Sequence, residues 1–202
     1  MALNFHHDGR TGYVELNNPP VNAINAAMRQ GLLDAVRSAE KLNLERVIVS
    51  GLGRAFAAGA DAKEFDGDPI EPHLPDVLDA IDQSFVPWIA AINGIALGGG
   101  AEIALACRMR IMHPKAQIGF PEVSLGVIPG AGGTQRLPRL IDLEIALDMI
   151  CFGKPIIAAK AQSIGLIQDI DDDVIEAAFL VNTEDLLCRV PTWELPFPDW
   201  DQ

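Results

Sequence analysis

Two glutamates, Glu102 in "LGGGAEIALAC" and Glu122 in "GFPEVSLG", stand where a carboxylate is costly to keep. Glu102 follows Gly98, Gly99 and Gly100 and lies in the first turn of an expected helix, where the helix dipole favours negative charge. Taken alone, that describes an ordinary first-turn acid. Its apolar sequel "IALAC" marks a buried helix, however, and a buried carboxylate needs a partner or a task. Glu122 repeats the situation at a strand end further along the chain. Two carboxylates at the ends of neighbouring elements can flank a substrate and divide acid and base work, if their surroundings separate their pKa values. The spacing permits this chemistry without requiring it, because many α/β domains carry a glutamate near a strand end.

The glycines supply a complementary part. They let backbone approach a ligand without a Cβ in the way, and they open a helix whose first N–H groups lack internal acceptors. A second small-residue loop, "AAGAD", follows a short β-branched run and can also aim an N–H at a ligand. Together the two loops could form one oxyanion hole. A nucleotide loop is a poorer reading: "ALGGGAEIA" lacks the G-K-[ST] ending, and "PGAGGTQR" has Gln135 where the last glycine of G-x-G-x-x-G belongs. No serine has a G-x-S-x-G context, so Ser124 reads as a turn residue. His6, His7, His73 and His113 form no H-E-x-x-H or i,i+4 pair, so no metal site is expected.

The elements that must position these groups alternate. "GYVELN" reads as a strand and "AAMRQGLLDAVRSAEKL" as an amphipathic helix with Asn25 as its N-cap. "RVIVSG" is a buried strand that runs into "AFAAGADAKEF"; "PWIAAIN", "MRIMH" and "AQIGF" are further strands. "VLDAIDQSF", "GGGAEIALACR" and "LIDLEIALDMICFG" read as helices, the last ending at Gly153. Between the early strands and "VLDAIDQSF", the proline-rich acidic stretch from Asp66 to Asp76 reads as a mobile surface segment, a candidate lid. The rhythm implies an α/β layered domain over residues 1–170. Residues 171–202 read as an acidic tail with one helix in "VIEAAFLVNTEDLL" and a linker-like, proline-bearing end.

Composition narrows the class. With 202 residues the chain can bury about 70% of its unfolded surface and needs no disulfide or metal staple. Fifteen basic against 28 acidic residues give a net charge of −13, which disfavours non-specific binding to nucleic acid or to anionic membrane. An anionic ligand therefore needs a local basic patch. Cys107, Cys151 and Cys188 are an odd set without C-x-x-C spacing, which fits a reducing cytoplasm. No signal-peptide pattern or apolar stretch of membrane-spanning length stands out.

In order along the chain, "RAFAAGADAKEF", "PWIAAINGIALGGGAEIALACRMRI" and "AQIGFPEVSLGVIPGAGGTQRLPRLI" resemble the enoyl-CoA hydratase/isomerase, or crotonase, superfamily. The resemblance runs from about Val14 to Ile170, and the ordered coincidence of both loops, both glutamates and "IPGAGGTQRL" is more specific than any one motif. It implies a crotonase-like spiral of ββα units, assembled as trimers or pairs of trimers. It implies hydration of a trans-2-enoyl-CoA to a 3-hydroxyacyl-CoA, with no metal or redox cofactor and with CoA as part of the substrate.

The resemblance also assigns roles. The backbone N–H groups of Ala60 and Gly99 match the pair that binds the thioester oxygen, Glu102 the residue that deprotonates water, and Glu122 the residue that delivers a proton to the α-carbon. Gly130 matches a backbone position facing the site. Ala58, Asp61 and Lys63 fall on the segment that follows the pantetheine arm and adenine, with Lys63, assisted by Arg54, as contact to phosphate. Two departures stand out: Phe120 replaces a polar residue beside Glu122, which would alter the acyl pocket, and Trp88 is bulky, as for core packing. The chain is also short, most like the N-terminal hydratase/isomerase part of multifunctional β-oxidation enzymes. A Δ3,Δ2-enoyl-CoA isomerase and a weakly active or inactive CoA-thioester-binding domain are the alternatives.

Overall fold

The computed structural model describes residues 2–64 and 68–198. Its elements begin with β1 (Leu3–Asp8), β2 (Thr11–Leu16), α1 (Ala26–Lys41), β3 (Arg46–Gly51), β4 (Ala55–Ala58) and α2 (Leu74–Gln83). They continue with β5 (Trp88–Ile92), β6 (Ile95–Leu97), α3 (Gly99–Ala106), β7 (Met109–Met112), β8 (Gln117–Gly119), α4 (Gly133–Leu140) and α5 (Leu143–Phe152). The last are β9 (Ile156–Ile157), α6 (Ala158–Ser163), β10 (Asp169–Ile170), α7 (Val174–Leu180) and α8 (Thr183–Leu187).

Two sheets share the work. One has six strands in the order β1-β2-β3-β5-β7-β10, the other four in the order β4-β6-β8-β9. The first strand of each pair β3/β4, β5/β6 and β7/β8 joins the larger sheet, its successor joins the smaller one, and a helix follows. This repetition is the expected spiral of ββα units. All pairings among β3, β5 and β7, and among β4, β6 and β8, are parallel, so the ends of β4, β6 and β8 come out side by side.

Local chemistry explains the elements. Asn25 caps α1 by accepting from Met28 N at 2.9 Å, and Asp142 caps α5 by accepting from Glu144 N and Ile145 N. Helix α5 ends at Gly153, whose φ of 65° lies in the left-handed region. All eight residues of α3 are buried, so the helix that carries Glu102 is enclosed on every side by core. Gly100 makes this possible: a Cβ there would lie 2.0 Å from the Ala57 carbonyl oxygen, so α3 packs directly on the backbone of β4.

Several expectations need correction. The single helix in "VIEAAFLVNTEDLL" is two, α7 and α8, because Asn182 turns its side chain to accept from Glu184 N and starts the second. Strand β6 and helix α4 carry little signal of their own, being three residues long and proline-containing respectively.

The linker-like end is anchored to the core at Pro191 and Thr192, while most of residues 193–198 are exposed. Thr192 is 3% exposed, its N–H donating to Asp82 Oδ1 and its hydroxyl to the Leu105 carbonyl. Of the candidate lid, residues 66 and 67 lie outside the described part. Residues 68–73 are tied down by Arg29, which donates to the carbonyls of Ile70 and Pro72. Among the described residues no helix is long and apolar enough to cross a membrane.

Candidate active site

The parallel ends of β4 and β6 and the start of α3 frame a cavity of about 420 Å³. Ala58, Ala60, Gly99, Gly130, Glu102 and Glu122 line it. Six of the nine site residues expected from the sequence are thus brought together. Asp61, Lys63 and Arg54 do not line it. Asp61 instead accepts from Lys63 N at the start of a short 3₁₀ turn, Lys63 is exposed, and Arg54 is exposed just before β4, at the end of that strand away from Ala58.

The two small-residue loops meet. Ile24 N donates to Gly59 O at 2.9 Å and Asp61 N donates to Ile24 O at 3.0 Å, which leaves the intervening Ala60 N–H without an acceptor among the described residues. Gly99 is the first residue of α3, so its N–H has no intrahelical acceptor. A Cβ on Gly99 would lie 3.9 Å from Ala60 N, so the two unpaired donors are close neighbours in one cavity.

The glutamates differ in their surroundings. Glu102 is 3% exposed, and its Oε1 accepts from Ala131 N and from Gly133 N, both at 2.8 Å. Burial raises its pKa, against the opposing pull of those two N–H groups and of the Arg136 charge. With both bonds on Oε1, Oε2 is left for a guest in the cavity. Glu122 sits in a 3₁₀ turn after β8, and its Oε2 is buried without a hydrogen-bond partner among the described residues. Its pKa is raised as well, first by burial and further by the Glu102 charge, while its own backbone N–H works the other way. Both carboxylates line the same cavity, close enough for the charge of one to act on the other.

Gly98 connects the parts. Its N–H donates to Gly119 O at 2.9 Å, its φ is +52°, and a Cβ would come within 2.8 Å of Glu122 Oε1. The glycine run therefore both turns the chain from β6 into α3 and makes room for the second carboxylate.

A buried network missed at the sequence level stands behind Glu102. Arg136 on α4 donates to Asp82 at 2.8 Å, to Asp79 at 2.7 Å and to the Ala131 carbonyl at 3.1 Å. The Ala131 N–H in turn holds Glu102. The only sequence signal was Arg136 within "GAGGTQRL", which marks a motif without revealing a partner. The apolar lining, including Leu74, Leu97, Leu125, Val127 and Ile128, was also unassigned. Phe120, expected to shape the acyl pocket, does not line the cavity; it is fully buried behind Gly133, where a Cβ would meet its ring at 3.1 Å. Trp88 is fully buried in the core, as its bulk suggested.

The ββα spiral is the architecture of crotonase-type proteins. An enoyl-CoA hydratase from Bacillus anthracis has a similar structure, with a TM-score of 0.85 and 35% identity over 92% of this chain and 76% of that one. The enoyl-CoA hydratase/isomerase family profile matches residues 8–187. The chain belongs to the enoyl-CoA hydratase/isomerase family. It is 43% identical over 160 residues to a peroxisomal bifunctional enzyme of Danio rerio, covering 79% of this chain and 22% of that protein. It is 41% identical over 180 residues to the peroxisomal fatty acid beta-oxidation multifunctional protein MFP2 of Arabidopsis thaliana, covering 84% of this chain and 24% of that protein. The matched part thus amounts to about a quarter of the length of these relatives.

Proposed function

We propose that the chain adds water across the double bond of a trans-2-enoyl-CoA to give a 3-hydroxyacyl-CoA. The observation that carries this reading is the confluence of two unpaired N–H donors with two pKa-raised glutamates in one largely apolar cavity. The thioester oxygen accepts from Ala60 and Gly99, where the N–H groups stabilise the enolate that forms as the π electrons move toward the carbonyl. Glu102, held through Oε1, takes a proton from water through Oε2 while the hydroxide oxygen bonds to the β-carbon. Protonated Glu122 delivers its proton to the α-carbon as the carbonyl reforms. Each turnover leaves a proton on Glu102 and a charge on Glu122, so proton exchange with solvent restores the starting state.

The acyl chain lies against Leu74, Leu97, Leu125, Val127 and Ile128, and the pantetheine arm leaves past Ala58 and Gly130. Lys63 and Arg54, outside the cavity, meet the CoA phosphates. The names of the matched relatives support a place in fatty acid β-oxidation and a peroxisomal rather than cytoplasmic setting. A homotrimer or hexamer is the assembly proposed from the family resemblance.

The test is hydration of trans-2-butenoyl-CoA by the purified chain and by Glu102→Gln and Glu122→Gln. Each variant is expected to lower kcat by about 10²–10⁴-fold, the usual worth of a positioned acid or base. Equal activity in all three overturns the reading. A second reading, Δ3,Δ2-enoyl-CoA isomerisation, is favoured by the buried, unpartnered Glu122 Oε2, a group free to shuttle a proton alone. Activity on a 3-enoyl-CoA that survives Glu102→Gln would identify it.

A further inference from the structure

Away from the active cavity lies a groove of about 370 Å³ between the base of β7, the end of α4 and the packed tail. Arg108, Arg110, Arg139 and Arg189 line it, and no aspartate or glutamate does. It shares no lining residue with the cavity that holds Glu102 and Glu122. In a chain with 28 acidic and only 15 basic residues, four arginines around one groove are a local concentration of positive charge.

Their bonding leaves that charge without a direct ion-pair partner among the described residues. Arg108 donates to the carbonyls of Arg189 and Ser84, Arg110 to those of Leu166, Ala104 and Cys107, and Arg139 to those of Leu195 and Gln135. Arg139 also donates to the side-chain oxygen of Gln135 and lies over the Phe197 ring. All these acceptors are neutral. None of the four arginines forms a salt bridge among the described residues, where Arg10, Arg29, Arg37 and Arg136 do. The carboxylates that act on Arg108 are Asp82, already committed to Arg136 and Thr192, and Glu194, which does not line the groove. Arg110 is 2% exposed, and burial, with a smaller contribution from Arg189, pushes its pKa down to about 10 against the opposing pull of Cys107 and Asp82.

We infer that this groove binds a phosphate group, as a free phosphate ester or as part of a larger ligand, between the arginines of the core and Arg189 of the tail. Planar guanidinium forks match phosphate oxygens in pairs, and a dianion relieves the mutual repulsion of the four cations. The bound group would also fasten the tail, since Arg108 and Arg139 already hold the carbonyls of Arg189 and Leu195. This inference is independent of the hydratase reading.

The probe is inorganic pyrophosphate, titrated calorimetrically into the whole chain at constant ionic strength set with sodium chloride. Saturable 1:1 binding is expected, weakened about tenfold or more by Arg189→Gln, the scale of losing a charge-assisted hydrogen bond. The Arg189 side chain makes no hydrogen bond or ion pair among the described residues, so this variant should keep the fold, to be checked by circular dichroism. Arg139→Gln should weaken binding similarly, and Arg10→Gln, which removes an exposed pair with Glu45 elsewhere, should not. Absence of saturable binding, binding indifferent to Arg189→Gln, or equal weakening by Arg10→Gln overturns the inference. Repeating the titration with saturating CoA separates the sources: Arg189-dependent displacement of pyrophosphate assigns the site to the CoA phosphates, and simultaneous binding assigns it to a separate phosphate ester.

Discussion

Glu102 pays for its position in stability. Burial raises its folded-state pKa above the unfolded value, so the native state favours the protonated form and stability falls as pH rises through the folded pKa. Glu102→Gln keeps an oxygen to accept from Ala131 N and Gly133 N and removes the buried charge. We therefore expect this variant to lose turnover yet melt higher than the parent at pH 8, by roughly 2–4 °C for each kcal/mol of relief in a chain of this size. The difference should shrink as pH falls and vanish below about pH 3, under the ordinary glutamate pKa, where the parent carboxyl is protonated in both states. Thermal melts across that range check the sign, and a deficit in the variant at pH 8 would contradict the account. Gly98→Ala tests the neighbouring position: the left-handed φ of +52° and the 2.8 Å approach to Glu122 Oε1 both resist a methyl group. Its expected cost is about 1 kcal/mol or more in stability, with a fall in kcat as Glu122 is displaced.

At the scale of elements, the site depends on two helices that never touch the proposed substrate through their polar side chains. Asp82 on α2 and Arg136 on α4 are 1% and 5% exposed, and their bond fixes the loop whose Ala131 and Gly133 N–H groups hold Glu102. Arg136→Met leaves Asp82 with a buried charge and only the Thr192 N–H as partner, an expected loss of about 3–5 kcal/mol. Replacing both, as Asp82→Leu with Arg136→Met, should recover much of that loss in chemical denaturation while leaving Glu102 less well held. A double variant no more stable than Arg136→Met would show that the pair is not coupled as drawn. This network was illegible in the sequence because its members are 54 residues apart and belong to different ββα units. By contrast, helix α3 was readable from its glycine start and apolar run, since both signals are local.

At the scale of the whole molecule, the tail is the clearest case of tertiary structure overriding composition. Its spaced prolines suit a linker, yet Thr192 is buried against Asp82 and Leu105, while Arg108 and Arg139 hold two tail carbonyls. Removing residues 190–202 should therefore lower stability by roughly 2 kcal/mol or more, the scale of two or three buried hydrogen bonds. An unchanged denaturation midpoint would restore the linker reading.

The sequence by itself determined the alternation of strands and helices, the glycine start of α3 and the identity of both glutamates, because periodicity, capping and backbone freedom are properties of neighbouring residues. It also determined the family, through motifs whose order is visible without coordinates. Only the tertiary structure decided that Ala60 and Gly99 become adjacent unpaired donors, that Glu102 is held through one oxygen, and that Arg54, Asp61 and Lys63 stay outside the cavity. It alone gathered four arginines of an acidic chain around one groove. The physical reason is common to all of these: they depend on which buried polar groups find partners across the fold, and that choice is made only when distant segments pack.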